Sequence, residues 1–205
     1  MQGFSARQIA TVLHSMAKAR YRPANGTFSS ALEGQAEAVI GLFNAQELAN
    51  TVWAYATMKR QPGRGLMRAL EGQTAAIVGT FNAQDVANTL WAYARLGQAP
   101  GAGLPGLGRA LGAGLRRKVE ERILQLVEDF TSQNIADTQW AYEQLGMALP
   151  AEVVTGLEAR HSAILASLSA FVAAEPGRGV PEARCDADCD AESVACCLLA
   201  IRGLF

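Results

Sequence analysis

The chain has 205 residues, half of them apolar and 18% charged, so it can bury a core and is not a disordered polyelectrolyte. It holds no uncharged apolar run of about 18 residues and no visible secretory signal or transit peptide, so no membrane span is expected. The net charge of −1 is polarised: residues 1–118 hold 13 Lys/Arg against 5 Asp/Glu and residues 119–205 hold 5 against 14, which points a polyanionic partner to the first half.

Phe4 opens the phrase FSARQIATVLHSMA. It returns as FNAQELANTVWAYA from Phe43, FNAQDVANTLWAYA from Phe81 and FTSQNIADTQWAYE from Phe130, at spacings of 39, 38 and 49 residues. A period of this length predicts stacked helical units and an extended binding surface in place of a cleft. Each copy carries the same helix-start signals. Ser5, Asn44, Asn82 and Thr131 are N-cap candidates, and Glu47 three residues after Asn44 completes a capping box. Phe4/Ile9, Phe43/Leu48, Phe81/Val86 and Phe130/Ile135 form the pairs of a hydrophobic staple. Leu48, Val52, Tyr55 and Ala56 make one apolar stripe; Trp53 is read on a shoulder of it, with Gln46, Asn50 and Thr57 on the opposite side. Pro23, Pro62, Pro100 and Pro150 stop the helices. These A helices are expected near 5–19, 44–59, 82–96 and 131–146, each followed by a B helix near 28–42, 65–80, 115–129 and 151–168.

Residues 97–114, rich in Gly, Pro and Ala, read as a loop inserted between the two helices of the third unit. They are no nucleotide loop, since they follow a helix and lack Gly-Lys-Ser/Thr. Residues 171–205 keep no repeat register; they read as an acidic loop and a short terminal helix. The tail holds Cys185, Cys189, Cys196 and Cys197, whose spacing fits no zinc pattern, so neither a metal nor another cofactor is expected. The expected fold is all-α, an α-solenoid of about four helix-turn-helix repeats over residues 4–168 with a period near 38–40 residues.

The phrase Phe-Asn-Ala-Gln-x-Leu/Val-Ala-Asn-Thr-x-Trp-Ala-Tyr-Ala, followed by Leu-Gly or a near equivalent and a Pro, resembles the repeats of octotricopeptide-like proteins. These are organelle RNA-binding proteins of algae and protists, related to proteins that end in a RAP domain. Repeats in trypanosome mitochondrial RNA-editing complexes are similar. The resemblance covers residues 4–168 and is most specific at 43–56 and 81–94; in the first copy His14 replaces Trp. It implies single-stranded RNA binding in RNA processing, stability or translation, in a chloroplast or mitochondrion. No RAP domain follows the repeats, and the chain reads as a fragment of a longer protein.

Two polar columns are candidates to meet bases: Gln46, Gln84 and Gln133 (Arg7 in the first copy), and Asn50, Asn88 and Asp137 (Thr11). The alternative is an amide ladder between adjacent helices. Trp53, Trp91 and Trp140 could stack on bases but are expected to fill the core between repeats, as are Tyr55, Tyr93 and Tyr142. Candidates for phosphate contact are Lys18, Arg20 and Arg22, then Lys59, Arg60, Arg64 and Arg68, then Arg95. Most of these suit a helix C-terminus equally well, whereas Arg116, Arg117 and Lys118 open a B helix, where the macrodipole disfavours them. His14 and His161 stand alone, and no acid–base or nucleophile pair is spaced for catalysis. The sequence therefore reads as a non-enzymatic RNA-binding α-solenoid without a small-molecule substrate. The alternative is a protein-binding scaffold of the same fold, whose groove would hold a peptide or partner helix.

Overall fold

The computed structural model describes residues 3–21, 26–97 and 113–174. Arg22, most of the expected 97–114 insertion and residues 175–205 lie outside them. The helices are α1 (Ala6–Lys18), α2 (Gly26–Val39), α3 (Ala45–Thr57), α4 (Arg64–Ile77), α5 (Ala83–Gly97), α6 (Ala113–Leu126), α7 (Ser132–Gln144) and α8 (Ala151–Ala174). No strand occurs among the described residues, and none of their helices is long and apolar enough to cross a membrane. The protein is an all-α helical-repeat stack. The odd-numbered A helices pack on one another in chain order, and the even-numbered B helices form a second layer across them.

Each A helix starts where its cap chemistry demands. Ser5, Asn44, Asn82 and Thr131 accept from the backbone N–H three residues on, and Gln8, Glu47, Asp85 and Asn134 reach back to the cap's own N–H. All four capping boxes therefore close, satisfying donors the helix cannot. Along the A helices the buried positions are rich in alanine, among them Ala49, Ala54, Ala56, Ala87, Ala92 and Ala94. Small side chains let the A helices approach one another more closely than the B helices do.

The junction between units is built around the repeated phenylalanine. α2, α4 and α6 each tighten into a 3-10 turn, at Ile40–Leu42, Val78–Thr80 and Val127–Asp129, and the next residue is Phe43, Phe81 or Phe130. All three rings are buried. Their carbonyls, outside any helix ladder, are met from the following B helix. Gln73 Nε2 donates to Phe43 at 3.3 Å, Arg122 Nε to Phe81 at 2.8 Å and Arg160 Nε to Phe130 at 3.1 Å. Phe4 has no B helix in front of it among the described residues and remains exposed.

A second recurring contact ties α3 and α7 to the B helix before each. The Tyr55 hydroxyl donates to Glu33 at 3.2 Å and that of Tyr142 to Glu120 at 3.4 Å. Glu71 and Tyr93 occupy the same register in the middle of the stack. Burial raises the pKa of all three phenols above the ordinary tyrosine value, and the neighbouring glutamates add to this. All three stay neutral; Tyr55 and Tyr142 donate to their glutamates, whereas the Tyr93 hydroxyl is buried without a hydrogen-bond partner among the described residues. Glu33 also takes an ion pair from Arg60 at 3.6 Å and the Gly63 N–H at 3.1 Å; a Cβ at Gly63 would fall 2.9 Å from its carboxylate. Glu120 has Arg116 at 2.7 Å.

Glu71 is the weak member of this column. The sequence places Gln98 where the second unit has Arg60. Burial raises the carboxyl above the ordinary glutamate value, offset in part by Arg68. The folded state therefore holds this proton more tightly than the unfolded chain does. The group's contribution to stability is fully present below the ordinary value of 4.5 and is lost as pH rises through the raised value. Glu71→Gln is expected to raise the melting temperature at pH 7 and to change it little at pH 4. Equal shifts at the two pH values would show that ionisation of Glu71 is not the cause.

α8 runs to Ala174, past the expected end at 168. Nothing in Ser169–Ala174 stops a helix; the first breaker in the sequence is Pro176.

Candidate nucleic-acid interface

The solvent side of the A layer carries four parallel columns. They are Arg7, Gln46, Gln84 and Gln133; Thr11, Asn50, Asn88 and Asp137; His14, Trp53, Trp91 and Trp140; and Lys18, Thr57, Arg95 and Gln144. Within each helix these residues are spaced by four, three and four, which keeps them on one stripe. Every one is exposed or half-buried, while the helix's other faces hold the core. The A helices are the more closely packed layer, and this face is its solvent side.

The tryptophans reach the core expected to hold them, but only in part. Trp53 lies at the edge of the polar stripe that borders Ala49 and Ala56, on the shoulder of the apolar one. The three indoles are half-buried: one side packs on the core and the rest faces outward with the amides. The tyrosines do enter the core. His14 takes the tryptophan's place in α1, its ring 5.1 Å from that of Trp53. Trp91 and Trp140 stand 6.4 Å apart, and the Arg95 guanidinium lies 5.5 Å from the Trp91 ring centre, within cation–π range.

The amide columns do not form a continuous ladder. Gln133 donates to Asp137 at 2.9 Å within α7. Gln46, Asn50, Gln84 and Asn88 make no side-chain hydrogen bond among the described residues. Their donors and acceptors face solvent in the two copies where the phrase is best preserved.

The basic candidates separate into groups. Arg60 bonds Ser29 and Glu33 on α2, Arg116 bonds Glu120 and the Ala148 carbonyl, and Lys118 donates to the Ala75 carbonyl at 2.8 Å. Arg60 thereby ties the end of α3 to α2, Lys118 ties α6 to α4, and Arg116 ties α6 to the connection between α7 and α8. Arg117 pairs with Glu121 on its own helix at 3.4 Å. α6 begins at Ala113, so Arg116, Arg117 and Lys118 lie beyond its first turn and the macrodipole argument for them lapses. Arg64 is instead the first residue of α4 and, with Arg68, is exposed there. Lys18 and Arg95 lie at the C-terminal end of the A face.

Arg20 and Lys59 have a feature the sequence did not disclose. Both sit just past an A helix with positive φ, 51° and 53°; the fourth unit has Gly146 there at 64°. In all three the N–H groups bond back in the Schellman pattern, as Arg60 N to Tyr55 O and Lys59 N to Ala56 O. Glycine is the residue this conformation favours, and an L-residue in it is strained. The two long cations occupy strained positions at the edge of the A face, both exposed.

Between α4 and α6 the B side has a shallow recess of about 220 Å³ with an alanine-rich floor and a rim that includes Lys118 and Arg122. Both cations already bond backbone carbonyls.

A family described as a protein of unknown function (DUF1601) matches residues 40–52, 78–90 and 119–138. The first two segments are the same stretch of successive repeats, from the 3-10 turn through the repeated Phe into the A helix. The third spans most of α6, its turn and the first half of α7. The similarity thus falls on the junction between units. No curated protein shows a match to the chain.

Proposed function

We propose that this chain binds single-stranded RNA along the solvent side of its A layer and does not itself catalyse a reaction. The observation that supports the reading most is the convergence on one face of unbonded amides, half-exposed indoles and a cationic edge. Single-stranded RNA is recognised by such a set: aromatic faces for stacking, amides for base edges and cations for phosphates. The resemblance of the repeated phrase to octotricopeptide-like repeats points the same way, toward RNA processing, stability or translation in a chloroplast or mitochondrion. A protein-binding scaffold needs an extended apolar groove, and the recess between α4 and α6 is small and rimmed by charge.

The test is binding of the whole chain to a labelled single-stranded RNA, followed by anisotropy at 50 and 200 mM salt. Four phosphate contacts drawn from Lys18, Arg20, Lys59, Arg64 and Arg95 imply a log–log salt slope of about −3, or roughly a 50-fold loss of affinity between those concentrations. Absence of binding, or binding indifferent to salt, refutes the proposal.

A further inference from the structure

We infer that the break in the aromatic row between Trp53 and Trp91 is where one base of the bound RNA inserts. The inference rests on the RNA reading above and specifies its central contact.

The row is not evenly filled. His14 contacts Trp53, and Trp91 contacts Trp140, so the rings pair toward the two ends of the stack. No ring contact joins Trp53 to Trp91 among the described residues. The helices are not the reason, since α3 and α5 pack as closely as α1 and α3 or α5 and α7. The two indoles stand out of ring contact although their helices pack as closely as the others. The break in the row therefore lies between two indoles carried on a closely packed helix pair.

Its surroundings are polar and incompletely bonded. Asn50 and Asn88, one turn before each indole, make no side-chain hydrogen bond among the described residues. The Thr57 hydroxyl, one turn after Trp53, is buried and has no hydrogen-bond partner there either. Buried hydroxyls without partners recur along the stack, at Thr89 and Thr138 as well as Thr57, so this one is not by itself a ligand contact. Across from Thr57 the Arg95 guanidinium lies over Trp91. Flat apolar faces, two amides that can each donate and accept, and a cation together match a base with its phosphate. The corresponding place in α7 is closed, because Gln133 and Asp137 bond each other.

The chain has three tryptophans, all in this row, so selectively excited tryptophan emission reports on this row. The experiment titrates the full chain, and a Trp140→Phe variant that leaves only Trp53 and Trp91, with oligoadenylate and separately with inorganic polyphosphate. Oligoadenylate is expected to quench both proteins, and polyphosphate to quench neither. Asn50→Ala with Asn88→Ala is expected to weaken oligoadenylate binding roughly tenfold with an unchanged melting temperature. Anisotropy that shows RNA bound while tryptophan emission stays constant overturns the base insertion and leaves the RNA reading standing. The same holds if polyphosphate quenches as strongly as RNA, or if the double amide variant binds undiminished. Absence of RNA binding by both measures overturns the base insertion and the RNA reading together.

Discussion

Phe81→Ala is expected to lower the unfolding free energy by about 3–5 kcal/mol, whereas Phe4→Ala is expected to cost less than about 1 kcal/mol. The two residues occupy the same place in the repeated phrase, and both precede a closed capping box. Local chemistry alone would make them equivalent. Their surroundings differ: Phe81 is 1% exposed and Phe4 is 45% exposed. Phe81 fills the joint where the 3-10 turn after α4 meets α5, and Arg122 from α6 fastens its carbonyl. Removing the ring leaves a cavity that three elements border. In a stack stabilised by nearest-neighbour contacts, that cavity weakens the bond between the second and third units more than either unit itself. Urea unfolding followed by helix circular dichroism should therefore show a lower midpoint for Phe81→Ala and a broader or two-step transition. Similar midpoints for the two variants would mean that the phenylalanine acts only as a staple within its own helix.

The contrast shows what could be read from the sequence. Helix starts were legible because a capping box and a staple are settled within about five residues. The solenoid was legible because the same signals return at a steady period. The tryptophans were legible only in part: a shoulder position borders both the core and the amides, and spacing alone does not say how much of an indole each side covers. The fate of the cations was hidden for a different reason. Arg60 finds Ser29 across 31 residues and Lys118 finds the Ala75 carbonyl across 43. A backbone carbonyl has no sequence signature, so nothing in the text distinguishes a cation that clasps two helices from one that waits for a phosphate. The positive φ of Arg20 and Lys59 was hidden in the same way, although Gly97 and Gly146 at the matching positions of the other copies carried the hint.

Arg20→Gly combined with Lys59→Gly is expected to make the protein more stable and a poorer RNA binder at once. Each substitution places glycine in a left-handed C-terminal position that Gly146 already occupies in the fourth unit. Relief of the strain should add about 1 kcal/mol per site, less a few tenths for the greater freedom of glycine in the unfolded chain. Neither cation is buried, so no core contact is lost. On the RNA side each phosphate contact contributes about 0.7 of a decade in affinity per tenfold change in salt. Losing two contacts should weaken binding roughly 10- to 25-fold at 0.1 M salt and flatten the log–log slope by about 1.4. Thermal melting and salt-resolved anisotropy on the same samples check both halves. A variant that gains stability and keeps both its affinity and its slope would show that these cations touch no phosphate. A variant that loses stability would show that the side chains, and not the backbone strain, dominate at these two positions. The expected pairing of higher melting temperature with weaker binding distinguishes a functional edge from ordinary helix-end charge, because removing favourable helix-end charge would lower stability.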